Sequence, residues 1–369
     1  MSRILSPIED YLILGGVFYG LKMDYSNKQT CQFRRILVLV LLSALFLVTI
    51  FSGLSFAAQP DHSERAAIMM PLASRTLVLD LATAGERIVA VGWRGHILLS
   101  DDDGINWRQV KVPTRDMLTG IYFVNDRCGW AVGHSAVILA TEDSGETWKL
   151  QSSAPEEEQP LFDIIVTGDY GFTVGAYAKF MITQNGGKSW QPSDFIIRQE
   201  NDAANKTLDD EEPLPFDYHL NSIARSAAGT CYIAAEAGFI FRSDDGGHTW
   251  LELPSPYEGS LFGILPLDGE KLITYGLRGH IFLSENGGQS WKEIETGTTA
   301  LLTAAATLTN GTIIVTGMGG VILTSADNGK SFTLQQPNRI SLTSVVKTNS
   351  DAIILAGERG AKLADLPSN

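Results

Sequence analysis

An eight-residue element, Ser/Thr-x-Asp/Asn-x-Gly-x-Thr/Ser/Asn-Trp/Phe, recurs through this 369-residue chain and constrains its fold more than any other feature. It reads Ser100-Asp-Asp-Asp-Gly-Ile-Asn-Trp107, Thr141-Glu-Asp-Ser-Gly-Glu-Thr-Trp148 and Thr183-Gln-Asn-Gly-Gly-Lys-Ser-Trp190. It returns as Ser243-Asp-Asp-Gly-Gly-His-Thr-Trp250, Ser284-Glu-Asn-Gly-Gly-Gln-Ser-Trp291 and Ser325-Ala-Asp-Asn-Gly-Lys-Ser-Phe332. The steps between closing aromatics are 41, 42, 60, 41 and 41 residues. One supersecondary unit is being copied, with an insertion in the third interval, and each copy needs a neighbour to bury its apolar surface.

The second copy shows what the unit is. Leu118–Val124, Gly129–Gly133, Ala136–Thr141 and Thr147–Leu150 are short apolar or β-branched runs bounded by Gly, Asp and Asn. Such runs are strands, and no helical periodicity competes with them. Four strands every 41 residues is the arithmetic of a β-propeller blade. The Asp or Asn of each box (Asp102, Asp143, Asn185, Asp245, Asn286, Asp327) is expected to close its own turn between strands three and four. The aromatics (Trp107, Trp148, Trp190, Trp250, Trp291, Phe332) are expected between blades. Beyond Phe332 the chain supplies three more strands, Leu342–Lys347, Ala352–Gly357 and Ala361–Leu366. A fourth, from Ala66–Pro71, would close a seventh blade and remove two free edges. Residues 58–369 therefore read as one all-β, seven-bladed propeller.

Ahead of it lies a leader. Residues 1–35 carry Arg34 and Arg35 at their end, and Ile36–Phe56 is an uncharged run long enough to span a bilayer. Small residues at 57 and 58 fit signal-peptide cleavage, and a start at Met23 gives a signal of ordinary length. Residues 36–57 are thus a signal h-region or a retained transmembrane helix, and either sends the propeller out of the cytoplasm. Residues 1–57 hold five basic and three acidic groups in a chain of net charge −14, so the remainder carries −16. A body that acidic repels phosphate backbones, which argues against a nucleic-acid partner. Cys31, Cys128 and Cys231 are too few for a disulfide framework, and the last two read as buried thiols.

Strand order puts the boxes on one face of the disc and leaves the opposite face, with the second-to-third turns and the blade linkers, free for function. Arg94, His96, Lys179, Arg278, His280, Arg359 and Lys362 fall on these equivalent turns, which the ring symmetry would bring near the central opening. Blades one, five and seven share Arg-Gly. An Arg fork binds carboxylate or phosphate with defined geometry, so these residues are the candidate partner patch. Ordinary solvated hairpin tips inherited by duplication are the alternative. Arg198–Asp217, the insertion, has seven acids against two bases and lies on the same face, either as a solvated loop or as a displaceable cover.

Chemistry-bearing motifs are sparse. No Ser-His-Asp triad, phosphate loop or zinc spacing stands out, the acidic boxes lack the closing Glu of a calcium loop, and no cofactor or metal is expected. His96, His134 and His280 on equivalent turns are the one trio that a metal site would draw on. The boxes resemble the Asp-box, or bacterial neuraminidase repeat. With the export leader, seven blades and Arg-Gly hairpins, residues 65 to 366 resemble the photosystem II stability/assembly factor propeller family. That resemblance implies a non-catalytic, lumenal or periplasmic protein that helps assemble a membrane protein complex through an Arg-rich patch. The other reading is a sialidase-like glycan-active or glycan-binding protein, with Arg94, Arg278 and Arg359 gripping a carboxylate. Seven blades and the absence of a recognisable Tyr-Glu pair weigh against it.

Overall fold

The computed structural model describes residues 11–14, 17–20, 66–198 and 217–364. Tyr11–Leu14 and Val17–Gly20 form an antiparallel hairpin in a unit of their own, residues 1–59. The apolar run 36–57, Cys31 and the interior of the insertion lie outside the described residues. Among the described residues no helix is long and apolar enough to cross a membrane.

The second unit is a seven-bladed β-propeller. Blade one runs outward in chain order as Val78–Ala84, Arg87–Gly92, Ile97–Ser100 and Arg108–Gln109, all antiparallel. The innermost strands of the other blades are Leu118–Phe123, Leu161–Thr167, Leu220–Arg225, Leu261–Pro266, Leu302–Thr307 and Leu342–Lys347. Buried apolar residues fall into seven clusters, each shared by two successive blades. This explains why second strands such as Gly129–Gly133 and Ile313–Gly317 are buried at every residue. A blade is apolar on both faces, so its central strands read as unbroken apolar runs.

The boxes behave as the sequence predicts. In the first, the Ser100 hydroxyl donates to Asp102 Oδ1 (2.9 Å) and accepts from the Gly104 N–H (2.9 Å), while the Asn106 N–H donates to Asp102 Oδ1 (2.8 Å). The other boxes repeat this network, as at Thr141, Asp143, Gly145 and Thr147. Hydrogen bonds from Ser331 and Ser325 hold the Asp327 carboxyl down to about 2. The aromatic of each box packs into the cluster facing the preceding blade, and Trp148 Nε1 donates to its own box carbonyl, Gly145 O, at 2.8 Å.

Every innermost strand carries a β-bulge at the same place, for instance between Val78 and Asp80 and between Leu161 and Asp163. A bulge leaves backbone groups without a ladder partner. Here the adjacent blade satisfies them. The Ile121 N–H donates to Asp80 Oδ2 (3.0 Å) and the Ile223 N–H to Asp163 Oδ2 (2.7 Å). The Ala305 N–H bonds the Tyr275 hydroxyl, which reaches it through the space that Gly263 leaves open, where a Cβ would lie 2.2 Å from the phenol oxygen. Thr119 donates to Leu161 O, Asn221 to Leu261 O (2.8 Å), Thr303 to Leu342 O (2.9 Å) and Thr343 to Val78 O (2.7 Å). All seven blade junctions are bridged.

Two expectations need correction. Ala66–Pro71 does not complete blade seven, whose described sheet has three strands, Leu342–Lys347, Ile353–Gly357 and Gly360–Leu363. Instead the Ala67 N–H donates to Val112 O (2.8 Å) and Gln109 bonds both Met70 and Ile68, so the segment crosses beneath blade one. Ala67 finds its apolar pocket between blades one and two, and Met70 between seven and one. The ring closes through side chains: Ser344 Oγ donates to Asp80 Oδ1 (2.9 Å) and Ser350 Oγ to Asp103 Oδ2 (2.8 Å). Secondly, Cys128 is only half-buried, whereas Cys231 is buried; both are free thiols.

Trp148 is 6% exposed, so Trp148→Ala should destabilise the ring by about 3–5 kcal/mol, read as a lowered melting midpoint. Asp80 and Asp163 lie half-buried on innermost strands, and desolvation pushes their carboxyls up to about 6 and about 7. A carboxyl whose folded value exceeds its unfolded value binds its proton more tightly when folded. These two groups therefore lower stability as pH rises through about 4–7. Asp163→Asn should flatten that slope in melting scans across pH. It should also lower stability throughout, by about 1–3 kcal/mol, because Asp163 accepts the N–H groups of both Ile164 and Ile223 and Asn offers one oxygen for the two.

Candidate functional site

Six of the seven second-to-third turns share one conformation, and the blade-seven turn is a tighter hairpin in which Gly357 pairs with Gly360. Each of the six is a single 3-10 turn, as at Trp93–Gly95, His134–Ala136, Ala176–Ala178, Glu236–Gly238, Leu277–Gly279 and Met318–Gly320. Its middle residue is left-handed: Arg94 (φ 55°), Ser135 (58°), Tyr177 (53°), Ala237 (53°), Arg278 (56°) and Gly319 (66°). The Gly after Arg is demanded by the backbone. A Cβ at Gly279 would sit 2.1 Å from Thr298 O, and one at Gly95 2.2 Å from Thr114 O. The Arg is not demanded by anything in the turn, since Ser, Tyr, Ala and Gly hold the same place in other blades.

Of the seven candidates, four point into solvent. Arg94 lies over the Trp93 ring, 4.4 Å from its centroid, and Trp93 is itself exposed. Arg278 lines a groove of about 430 Å³ with Glu293, Glu295 and Thr298. Arg359 is exposed on the blade-seven turn. Lys362 is exposed too, but it stands within the strand Gly360–Leu363 and not on the turn. Among the described residues none of these four forms an ion pair.

The other three are placed differently. His96 is 2% exposed and buried beneath the Arg94 turn, with Nδ1 3.1 Å from Thr76 Oγ1; burial and then Arg94 push its imidazole below the usual range. It has no surface to offer a partner. Lys179 pairs with Glu157 from the preceding linker and is largely covered. His280 sits 2.6 Å from Glu293 Oε1 and stacks on Phe282 and Tyr257, so it shapes the Arg278 groove more than it projects from it. The possible His trio is not assembled, because His96 is buried on blade one while His134 is exposed on blade two. Among the described residues no group of His, Cys, Asp or Glu could hold a metal.

The face is therefore polarised. Blades five, six, seven and one carry Arg278, Met318, Arg359 and Arg94, with Arg339 and Arg75 exposed on the adjoining linkers. Blades two to four carry Ser135, Tyr177 and Ala237, with Glu156, Glu157, Glu158 and Glu236 around them. Trp93, Met318, Arg339 and Arg75 escape sequence reasoning. Trp93 and Met318 fall within turns the sequence marks but carry no charge to single them out, and the two Arg lie in linkers with no repeat to mark them.

A family model described as photosynthesis system II assembly factor YCF48 matches residues 99–195 and 161–312. The photosystem II assembly protein Ycf48 of Synechococcus sp. (strain JA-2-3B'a(2-13)) is 29% identical over 149 residues, 40% of each chain. A photosystem II assembly lipoprotein Ycf48 of Synechococcus sp. (strain CC9902) is 24% identical over 147 residues, 39% of each. The chain thus spans about two fifths of the length of these curated relatives. Among solved structures, YCF48 bound to a D1 peptide superposes with a TM-score of 0.63 at 17% identity, over 82% of this chain and 97% of that one. YCF48 from Cyanidioschyzon merolae gives 0.62 at 16% identity, over 80% and 97%. These likenesses establish the fold. With its repeats matched by that model over more than half its length, the chain belongs to the photosynthesis system II assembly factor YCF48 family.

Proposed function

We propose that this protein is a non-catalytic, extracytoplasmic assembly factor that docks a segment of a membrane-protein subunit, of the photosystem II kind, on the basic sector of its free face. The observation that carries this reading is the pair Arg94 and Arg278. Both are held left-handed, at a cost of about 1–2 kcal/mol each, at a position where other blades use other residues, and both lack a carboxylate partner among the described residues. Strain without a local gain is expected at functional positions. The rest of the body is acidic, so this sector is where a negatively charged segment is attracted, and the acidic blades two to four fix its orientation. Trp93 and Met318 add apolar contact.

The related structure that holds a D1 peptide supports a peptide as the form of the partner. Export rests on the leader, and a relative named a lipoprotein supports an anchored extracytoplasmic site. The Arg trio by itself also suits a carboxylate-bearing sugar, yet its members stand exposed on three separate turns, so docking accounts better for the arrangement.

Capture of a synthetic D1 peptide should fall at least tenfold in Arg94→Ala/Arg278→Ala/Arg359→Ala, on the scale of several charge-assisted contacts, and should weaken with salt in the unmodified protein. The triple variant should melt within about 1.5 kcal/mol of the parent. Arg278→Gly separates the roles more sharply. It should weaken capture while leaving stability unchanged or raising it by up to about 1 kcal/mol. Full capture by the triple variant, or turnover of a fluorogenic sialoside that Arg278→Ala abolishes, would overturn the reading. For location, a C-terminal alkaline phosphatase fusion should be active; an inactive phosphatase with a fluorescent cytoplasmic GFP fusion would show the propeller inside.

A further inference from the structure

Blade seven differs from every other blade in its described strand count. Gly360–Leu363 is its outermost described strand, and its register with Ile353–Gly357 pairs Ala361 with Ala356 and Leu363 with Ile354. The Ala364 N–H donates to Ile353 O, so in this antiparallel ladder residues 360, 362 and 364 face the inner strand. The N–H and C=O of Ala361 and Leu363 point the other way. In other blades the fourth strand takes up the equivalent groups: Val110 N–H bonds Ile97 O (3.1 Å) and Leu253 N–H bonds Ile240 O (2.9 Å). No described residue does so for Ala361 or Leu363.

This propeller already adds a strand to a blade edge. Ile197–Arg198 docks parallel to Trp250–Glu252, making blade four five-stranded, with Arg198 3.2 Å from Asp245. The blade-seven edge is charged for a different visitor. Lys362 is exposed on the strand, Arg359 stands at its start, and the Arg75 Cα lies 3.4 Å from where a Cβ on Gly360 would be. Glu358 is the acid beside Arg359, which leaves the edge net positive among the described residues. Leu363, 44% exposed, offers an apolar side chain between them.

We propose that the outer edge of Gly360–Leu363 is a strand-addition site for an extended acidic segment of a partner protein, bound by the backbone of Ala361 and Leu363 and by Arg75, Arg359 and Lys362. Main-chain bonds would give affinity without demanding a sequence, and the three bases would select charge. This deepens the docking reading above, on which it rests, by naming how the basic sector holds a peptide.

The probe is a ten-residue peptide of alternating Val and Glu, with a Val/Lys peptide as control, added to the full chain. Hydrogen exchange followed by mass spectrometry should show the Ala361 and Leu363 amides exchanging faster than the ladder-bonded Lys362 amide without peptide, and slowed about tenfold or more by the Val/Glu peptide alone. Leu363→Pro removes one outward N–H and should weaken binding about tenfold, whereas Leu363→Ala should not. Lys362→Glu should shift preference toward the Val/Lys peptide. Three results would overturn the site: exchange already as slow as at buried Ile354 in the peptide-free chain, which would place another segment of this chain on the edge; no protection by the Val/Glu peptide; or unchanged affinity in a normally melting Leu363→Pro. Should that variant fail to fold, the exchange measurement on the unmodified chain decides. Loss of D1-peptide capture in the triple Arg variant but not in Leu363→Pro would leave the docking function standing and remove strand addition. Protection of the edge by the Val/Glu peptide without any D1-peptide capture would do the reverse.

Discussion

The bulge in each innermost strand is what turns seven separate sheets into one ring. A blade could in principle slide against its neighbour, since the contact between them is mostly apolar and apolar contact is non-directional. The bulge removes that freedom. It exposes a backbone N–H or C=O at one fixed height, and only the adjacent blade carries the side chain that satisfies it: Asp80 for Ile121, Asp163 for Ile223, Tyr275 for Ala305, and threonine or asparagine at the rest. A buried unsatisfied backbone group costs about 1–3 kcal/mol, comparable to moving a methyl group or two out of the core, so register between blades is set by polar accounting around the axis. The Asp-boxes then fix the other rim of the first six blades locally, and the turns on the free face inherit their positions from both.

The reach of sequence reasoning follows the range of the interactions. An Asp-box is complete within eight residues, so its hydroxyl, carboxylate and glycine could all be read in line, and with them the blade count. The short strands were equally legible because a blade is buried on both sides. What could not be read was set by distant partners. Lys179 is neutralised by Glu157, which lies 22 residues away on a linker. His96 is buried because Thr76 and the segment before blade one close over it. The segment 66–71 has the composition of a strand, but its neighbours were decided by two apolar pockets flanking blade one. The axial bridges were invisible for the same reason, since nothing in Asp80 announces a carboxylate that serves two neighbouring blades at once.

The Arg-Gly repeat separates into a half that the backbone demands and a half that it does not. Glycine is required wherever the linker carbonyl presses on the turn, as Thr298 O does at Gly279, and it would persist through duplication whatever the turn was used for. Arginine is not required, and at Arg94 and Arg278 it takes the same left-handed conformation that Ser135, Tyr177 and Ala237 take in other blades. Its restriction to blades one, five and seven, with Arg339 and Arg75 on neighbouring linkers, gives an acidic molecule a single attractive quadrant. An attractive quadrant facing a repulsive one orients an incoming charged chain before any contact is made, which a uniformly basic face would not do.

That quadrant also contains the seam of the ring, and the coincidence has an energetic consequence. Among the described residues blades seven and one are joined by Thr343, Ser344, Ser350 and an apolar cluster, without a shared strand. A closure made by side chains opens at lower free energy than one made by a continuous backbone ladder, because its bonds are fewer and individually easier to replace by water. Whatever binds the closed ring at its seam, and not the open one, stabilises it in proportion to its free concentration over its dissociation constant, by about 2.7 kcal/mol at a hundredfold excess. Reciprocally, loosening the seam weakens that binding by the same factor. Arg94 and Arg359 stand on the two blades that meet at this seam, so a partner held by both would be coupled to closure of the ring.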